Sequence, residues 1–273
     1  MELRTLESVD IHDIIDCFTE SFAGYYVEFP KEHDFYIDRW QAAGVKLDFS
    51  YGAFEDDKLV AFMIHAVDYR AGQVIAFNTG TGVLPEFRGK RLVADLYDFA
   101  IPDLKIKGIT YLLLEVIQKN ERAIAAYKGV GFEIRREYQC FKRVMKAVVQ
   151  SDIEVGEADM TDWDWEVSSA EAVYSWDNQA ETLMNTECKG YMVTGNNSML
   201  AYFLYLPERK QVVQFGVIES TKENWAALFD GMSLVSEEIK INNVDMSIAE
   251  RMLQLNLHHF QETERQFEMG MSL

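Results

Sequence analysis

Short blocks rich in β-branched and aromatic residues punctuate this chain, and they come in two series. Tyr51-Gly52-Ala53-Phe54, Leu59-Val60-Ala61-Phe62-Met63-Ile64 and Gln73-Val74-Ile75-Ala76-Phe77 form the first; Tyr191-Met192-Val193-Thr194, Met199-Leu200-Ala201-Tyr202-Phe203-Leu204 and Gln211-Val212-Val213-Gln214-Phe215 form the second. Each block predicts a strand, and the turn Glu55-Asp56-Asp57-Lys58 in one series answers Gly195-Asn196-Asn197-Ser198 in the other. A helix start after a short strand is predicted at Val9 to Ile14 and again at Ala158 to Trp163. Near the ends, Glu121-Arg122 and Phe132 match Glu250-Arg251 and Phe260. The shared order predicts a duplicated chain, with domains 1–148 and 149–273 divided near Lys146 to Ser151. Each half reads β-α-(α)-β-β-β-α-β-α-β. Three consecutive short strands imply an antiparallel meander, and the later strands alternate with helices. The expected class is therefore α/β (α+β), a mixed sheet with helices on both faces.

The halves differ after their third block. The first runs through Val83-Leu84-Pro85-Glu86-Phe87-Arg88-Gly89-Lys90-Arg91-Leu92 before an amphipathic stretch in which Leu92, Leu96, Phe99 and Ala100 share a face and Pro102 marks a bend or end. A strand, a basic loop and a helix start present free backbone N–H groups at the positive end of a helix dipole, a geometry that binds phosphate. The second half goes from Phe215 through Glu219-Ser220-Thr221 straight into Asn224-Trp225-Ala226, without the basic loop. Further on, Ala123, Ile124, Tyr127 and Val130 line one face of a helix that Gly131 closes. Where the first half has Tyr127 the second has Asn256. Glu115 interrupts the apolar run Tyr111 to Val116, so its carboxylate is either solvent-facing or in a cleft. Phe22, Tyr25, Tyr26, Phe29, Tyr36 and Trp40 form an aromatic segment near Glu28. Most of its members read as core, and with Glu28 they could hold an ammonium ion.

Composition narrows the function. The chain of 273 residues carries a net charge of −19, unevenly spread: Met1 to Lys146 has 19 basic and 23 acidic residues, the remainder 7 and 22. Phosphates would be repelled by so acidic a second half, so nucleic acid is not an expected partner. The same charge serves solubility, or draws in a cationic substrate. No apolar run approaches bilayer length and Met1 to Thr5 carries no signal pattern, so no membrane partner and a cytoplasmic location are expected. Cys17, Cys140 and Cys188 lack metal spacing and read as reduced thiols; the adjacent His258 and His259 make a poor metal pair, and no metal is expected.

The basic loop and the segment Asn120-Glu121-Arg122-Ala123-Ile124-Ala125-Ala126-Tyr127-Lys128-Gly129-Val130-Gly131-Phe132, in this order and spacing, resemble the acetyl-coenzyme-A site of the GNAT superfamily of N-acetyltransferases. The resemblance covers the first half directly and the second only through the repeat. It implies two GNAT-like domains, an active first and a degenerate second, each a mixed, mostly antiparallel sheet splayed between its fourth and fifth strands. It implies acetyl-CoA as co-substrate, bound by Val83, Leu84, Arg88, Gly89, Lys90, Arg91, Leu92, Val93, Asn120 and Tyr127. Tyr127 would protonate the leaving thiolate, and backbone N–H groups of a bulged fourth strand near Gly82 to Leu84 would polarise the thioester. Glu115, in a Leu-Glu-Val strand like that of the protein-N-terminal branch, would be the general base. The family pattern Arg/Gln-x-x-Gly-x-Gly/Ala meets Arg91 and Val93 where small residues are usual. The expected reaction is direct attack on acetyl-CoA, in a ternary complex, by a small-molecule or peptide primary amine. The alternatives are a non-catalytic acyl-CoA-binding or regulatory protein, and an acetyltransferase of protein N-termini. The second half is left as a lid, an acceptor-selecting unit or a homodimer surface.

Overall fold

The computed structural model describes residues 1–144, 152–165 and 174–273. The chain divides into two compact units, one of Met1–Arg135 with Phe267–Leu273, the other of Arg136–Gln266. The predicted dividing segment near Lys146 to Ser151 lies outside the described residues.

In the first unit the strands are β1 (Glu2–Thr5), β2 (Tyr51–Glu55), β3 (Lys58–Arg70), β4 (Gln73–Val83) and β5 (Tyr111–Ile117). Its helices are α1 (Ile11–Ser21), α2 (His33–Ala43), α3 (Leu92–Ile106) and α4 (Glu121–Val130). β1 to β4 form an antiparallel meander in sequence order, and β5 lies parallel to β4. The hairpin turn uses Asp56 and Asp57 at positive φ, which short polar side chains tolerate best. α1 starts where Asp10 accepts a hydrogen bond from the His12 N–H, a side-chain N-cap. It packs Phe18 onto β4 so closely that a Cβ at Gly80 would stand 2.8 Å from the ring. Across the sheet α3 buries Leu92, Leu96, Tyr97, Ala100 and Leu104. Phe99, expected on that face, is largely exposed, and the helix runs through Pro102 to Ile106 instead of ending there. The helix tolerates Pro102 at the expense of one hydrogen bond, the one its missing N–H would give to residue 98.

The last strand of this unit comes from the end of the chain. β12 (Gln261–Ser272) lies next to β5, and the N–H of Leu273 donates to the carbonyl of Thr110 at 3.0 Å. Met269 is fully buried in the unit's core, and Phe267, Met271 and Leu273 pack against that core.

The second unit repeats the plan. β7 (Glu154–Ala158), β8 (Lys189–Gly195), β9 (Ser198–Leu206) and β10 (Gln211–Val217) are antiparallel neighbours, and β11 (Glu238–Asp245) runs parallel to β10. Its described helices are α5 (Ala180–Leu183), α6 (Lys222–Val235) and α7 (Ala249–Leu257). The strand beside β11 is β6 (Glu133–Val144), which follows α4 in the chain. Each sequence half thus sends its final strand to the other compact unit. After β7 the second helix start is represented by a turn in which Asp159 accepts from the Thr161 N–H, and residues 166–173 lie outside the described part.

Candidate active site

The site grows from a mismatch between β4 and its two neighbours. The β3–β4 register shifts between Ile64 and His65, because Asn78 faces His65 while Gly80 faces Ile64, leaving Thr79 as the extra residue of a β-bulge. The bulge is therefore centred on Thr79, upstream of the Gly82 to Leu84 N–H groups expected to face the thioester. On the other side β4 pairs with β5 only from Ile75↔Tyr111 to Asn78↔Leu114, although both strands continue. Beyond Asn78 the two strands part, and a V-shaped gap opens. The N–H of Leu84 is spent on the carbonyl of Val60 at 2.9 Å. Antiparallel strands alternate their hydrogen-bonding direction, so the backbone of Val83 faces the gap.

At the head of the gap the chain turns from β4 into α3. Gly89 has φ +81° and Arg91 has φ +62°, the left-handed region that small residues enter at least cost. This is where the sequence departs from the small-residue pattern. Arg91 adopts the glycine-like backbone all the same and stands at the N-cap of α3 without a side-chain cap. Among the described residues, the six consecutive N–H groups from Gly89 to Ala94 have no backbone or side-chain acceptor; the next, Asp95, donates to Arg91. A run of unpaired N–H groups at the positive end of a fifteen-residue helix is an anion cradle. Lys90 stays exposed, 4.6 Å above the Phe87 ring. Arg88 is used differently: Nη2 donates to the Ser21 carbonyl at 2.8 Å and Nε to the Val83 carbonyl at 3.2 Å. A cation at the C-terminal end of α1 satisfies an orphan carbonyl and ties the loop to that helix.

Tyr127 and Asn120 come from α4. Asn120 caps it, its side chain accepting from the Ala123 N–H, which turns Nδ2 outward to the Tyr25 hydroxyl at 3.0 Å. Next to it Tyr26 donates to the Lys119 carbonyl at 3.2 Å, so the segment after α1 is bound to the β5–α4 turn. Tyr127 is buried against Tyr97 and Phe132, with its phenol beside the Thr81 hydroxyl on β4. Burial pushes its pKa up to about 12, the Thr81 hydroxyl opposing the rise, so the phenol is protonated at neutral pH and can act as an acid. Glu115 is half-buried, with Oε1 shielded from solvent. Leu112, Leu114 and Val116 join the core, which places Leu113, Glu115 and Ile117 on the opposite face of β5. Asn78, level with Leu114, points to Tyr97 of α3, whereas Thr79 is held by Arg39 of α2 at 2.9 Å. Glu115 accordingly lies on the α2 face and Tyr127 on the α3 face.

The structure brings the loop, Asn120, Tyr127 and Val83 to one gap and sets Glu115 on the strand at its other edge. Sequence reasoning passed over Asn78 and Thr81: β4 also carries Gln73 and Thr79, and only the bulge sets Asn78 and Thr81 on one face. Of the aromatic segment, Tyr36 and Trp40 are core, Phe22, Tyr25 and Phe29 are partly buried, and Tyr26 is exposed.

The second unit has the same gap, closed. β10 pairs with β11 only at Gln211↔Lys240 and Val212↔Ile241, and a register shift at Val213 repeats the bulge. Arg251 turns inward and is buried, donating to the Phe215 carbonyl at 2.9 Å and the Tyr174 hydroxyl at 3.0 Å, over both rings. The space left measures about 10 Å³, room for about one water. Thr221 caps α6 with its own side chain, and Glu219 and Glu223 flank it. Asn256, in the place of Tyr127, is exposed and bonds back to Met252.

Among the described residues no cluster of His, Cys, Asp and Glu could hold a metal, the three cysteines are free and buried, and no helix is long and apolar enough to cross a membrane.

Comparison with known proteins bears on the fold. Residues 11–132 match the model of the acetyltransferase (GNAT) family. The chain is 36% identical over 86 residues to a ribosomal protein bS18-alanine N-acetyltransferase of Salmonella typhimurium, covering 30% of this chain and 55% of that one. A tandem GNAT protein from the clavulanic acid biosynthesis pathway superimposes with a TM-score of 0.72 over 99% of this chain and 98% of its own, at 12% identity. A GCN5-related N-acetyltransferase of Sphaerobacter thermophilus gives 0.68 over 99% and 95%, at 13% identity. These likenesses concern the fold, and they extend through both units. Residues 11–132 are thus similar to the acetyltransferase (GNAT) family, and the likeness of fold continues through the second unit.

Proposed function

We propose that the first unit transfers an acetyl group from acetyl-CoA to a primary amine by direct attack, and that the second unit binds no coenzyme. The observation that carries this reading is the run of six unpaired N–H groups from Gly89 to Ala94 beside a gap that Tyr127 overlooks. The pyrophosphate would sit on those N–H groups and on Lys90, with Arg88 holding the loop to α1. The pantetheine arm would lie in the gap and pair with β4 as an added strand does. Val83 N–H would polarise the thioester carbonyl. The amine then attacks that carbon and gives a tetrahedral oxyanion; its collapse breaks the C–S bond, and the sulfur takes the proton of Tyr127. The nitrogen sheds its proton to Glu115, directly or through water.

The acceptor approaches from the α2 face if Glu115 is the base, past Tyr25 and Tyr26. A peptide N-terminus is one reading of it, supported by the likeness to an enzyme that acetylates a ribosomal-protein alanine and by Glu115 in its strand. A small amine is the other, supported by the narrowing that the Tyr25–Asn120 and Tyr26–Lys119 contacts impose. Incubation with acetyl-CoA and a panel of small amines and Ala-initiated peptides, reading free thiol, tests both. Thiol release with any member supports transfer and its identity selects the class. Tight acetyl-CoA binding with no release across the panel would favour the non-catalytic alternative.

A further inference from the structure

The bulge of β4 gathers buried polar groups that the reaction so far leaves without a part. Asn78 is buried, and its Oδ1 accepts from the N–H of Gly80 at 3.0 Å. A backbone donor at that oxygen fixes which end of the amide is nitrogen. The two hydrogens of Nδ2 are then both committed, one to Thr81 Oγ1 at 2.6 Å and one to the Tyr97 hydroxyl at 2.8 Å. The Thr81 hydroxyl, which accepts from the amide and keeps its own hydrogen to give, stands beside the Tyr127 phenol. Tyr97 closes the arrangement edge-on to Tyr127, ring centroids 6.3 Å apart, and both rings contact Phe132.

We propose that Asn78 and Thr81 are positioning residues for Tyr127: Thr81 gives its hydrogen to the phenol oxygen, which leaves the Tyr127 proton free for the departing sulfur and stabilises the phenolate that remains. The inference rests on reading Tyr127 as the acid. As the C–S bond breaks, its electron pair stays on sulfur and the Tyr127 proton follows. The phenolate charge is met by the Thr81 O–H, whose oxygen Asn78 polarises, until solvent returns a proton. The bulge is what makes this possible. One extra residue at Thr79 lets Asn78 and Thr81, three apart, share the α3 face, which strict alternation would forbid.

Thr81→Val keeps the shape and removes the hydroxyl, and Thr81→Ser keeps the hydroxyl. Each is made in the full chain and in a Tyr127→Phe background. Thermal unfolding confirms the fold, and thiol release from acetyl-CoA is followed both with an Ala-initiated peptide and with water as the acceptor. Thr81→Val is expected to lower kcat about five- to tenfold with KM for acetyl-CoA within about twofold, and Thr81→Ser to stay within about twofold of the parent. In the Tyr127→Phe background Thr81→Val should cost nothing further, since the group it serves is gone. An unchanged kcat in Thr81→Val, or the same loss with and without Tyr127, would overturn the positioning role alone. An unchanged kcat in Tyr127→Phe itself would overturn the acid and its relay together.

Discussion

Arg91 shows how much one residue reveals and conceals. Its misfit with the small-residue pattern is legible in the sequence, but not whether the loop moves to accommodate it. The loop keeps the glycine-like conformation, and Arg91 bears a left-handed φ that costs about 1 kcal/mol in a non-glycine residue. Arg91→Gly should therefore fold at least as stably by thermal melting and weaken acetyl-CoA only through the lost charge, by less than about tenfold. Tyr127 became a candidate only through the family resemblance, because helical periodicity alone makes it an ordinary packed tyrosine. Tyr127→Phe should reduce kcat about tenfold at nearly constant affinity for acetyl-CoA, measured by steady-state kinetics. Asn78 and Thr81 were not legible, since a bulge changes which face a residue takes and leaves no mark in the alternation. A second residue-scale effect belongs to His65, which is fully buried with Nδ1 2.7 Å from the Phe49 carbonyl. Burial pulls its pKa down from 6.5 to about 4, the hydrogen bond opposing. The folded protein keeps His65 neutral while the unfolded chain takes a proton below about 6.5. Stability therefore falls as pH drops from about 6.5 to about 4, by about 3 kcal/mol in all. Chemical denaturation across that range checks it, and His65→Gln should flatten the slope.

At the scale of elements, the meander was legible because three blocks separated by turn residues leave few other ways to bury their apolar faces. The parallel pairing of β4 with β5 and the splay beyond it came only with the family resemblance, because the divergence depends on how α3 and α4 pack between the strands. The contrast between α3 and α6 was readable in outline, as a basic loop against its absence. The closure of the second gap was not: Arg122 and Arg251 occupy matching positions, yet one is exposed and the other is buried under Tyr174. The segment that brings in Tyr174 follows residues outside the described part. Arg88 belongs to this scale, since it joins the loop to α1 at Ser21. Arg88→Ala should weaken acetyl-CoA by about 1–3 kcal/mol through a loosened loop, and Lys90→Ala similarly through the lost cation. Binding measured against ionic strength separates them, because only the Lys90 variant should lose part of the salt dependence.

At the scale of the molecule, the duplication was legible in the order of blocks, and the exchange of final strands was not. A terminal strand of either half looks alike in sequence, and alternation does not say which sheet it joins. The exchange makes the first unit depend on the end of the chain. Met269 is fully buried in the first unit's core, and Met269→Ala should cost about 2–5 kcal/mol in denaturant unfolding. A chain ending at residue 266 should lose acetyl-CoA binding although every residue of the candidate site is present. The acidity of the second half remains a matter of solubility unless cationic and neutral amines respond differently to salt. Calorimetric titration of acetyl-CoA into the full-length protein decides whether there is one coenzyme site per chain and whether it lies in the first unit. One site per chain is expected, weakened by Lys90→Ala and unaffected by Thr221→Ala at the head of α6. Two equivalent sites, or a single site that Thr221→Ala disturbs and Lys90→Ala does not, would contradict it.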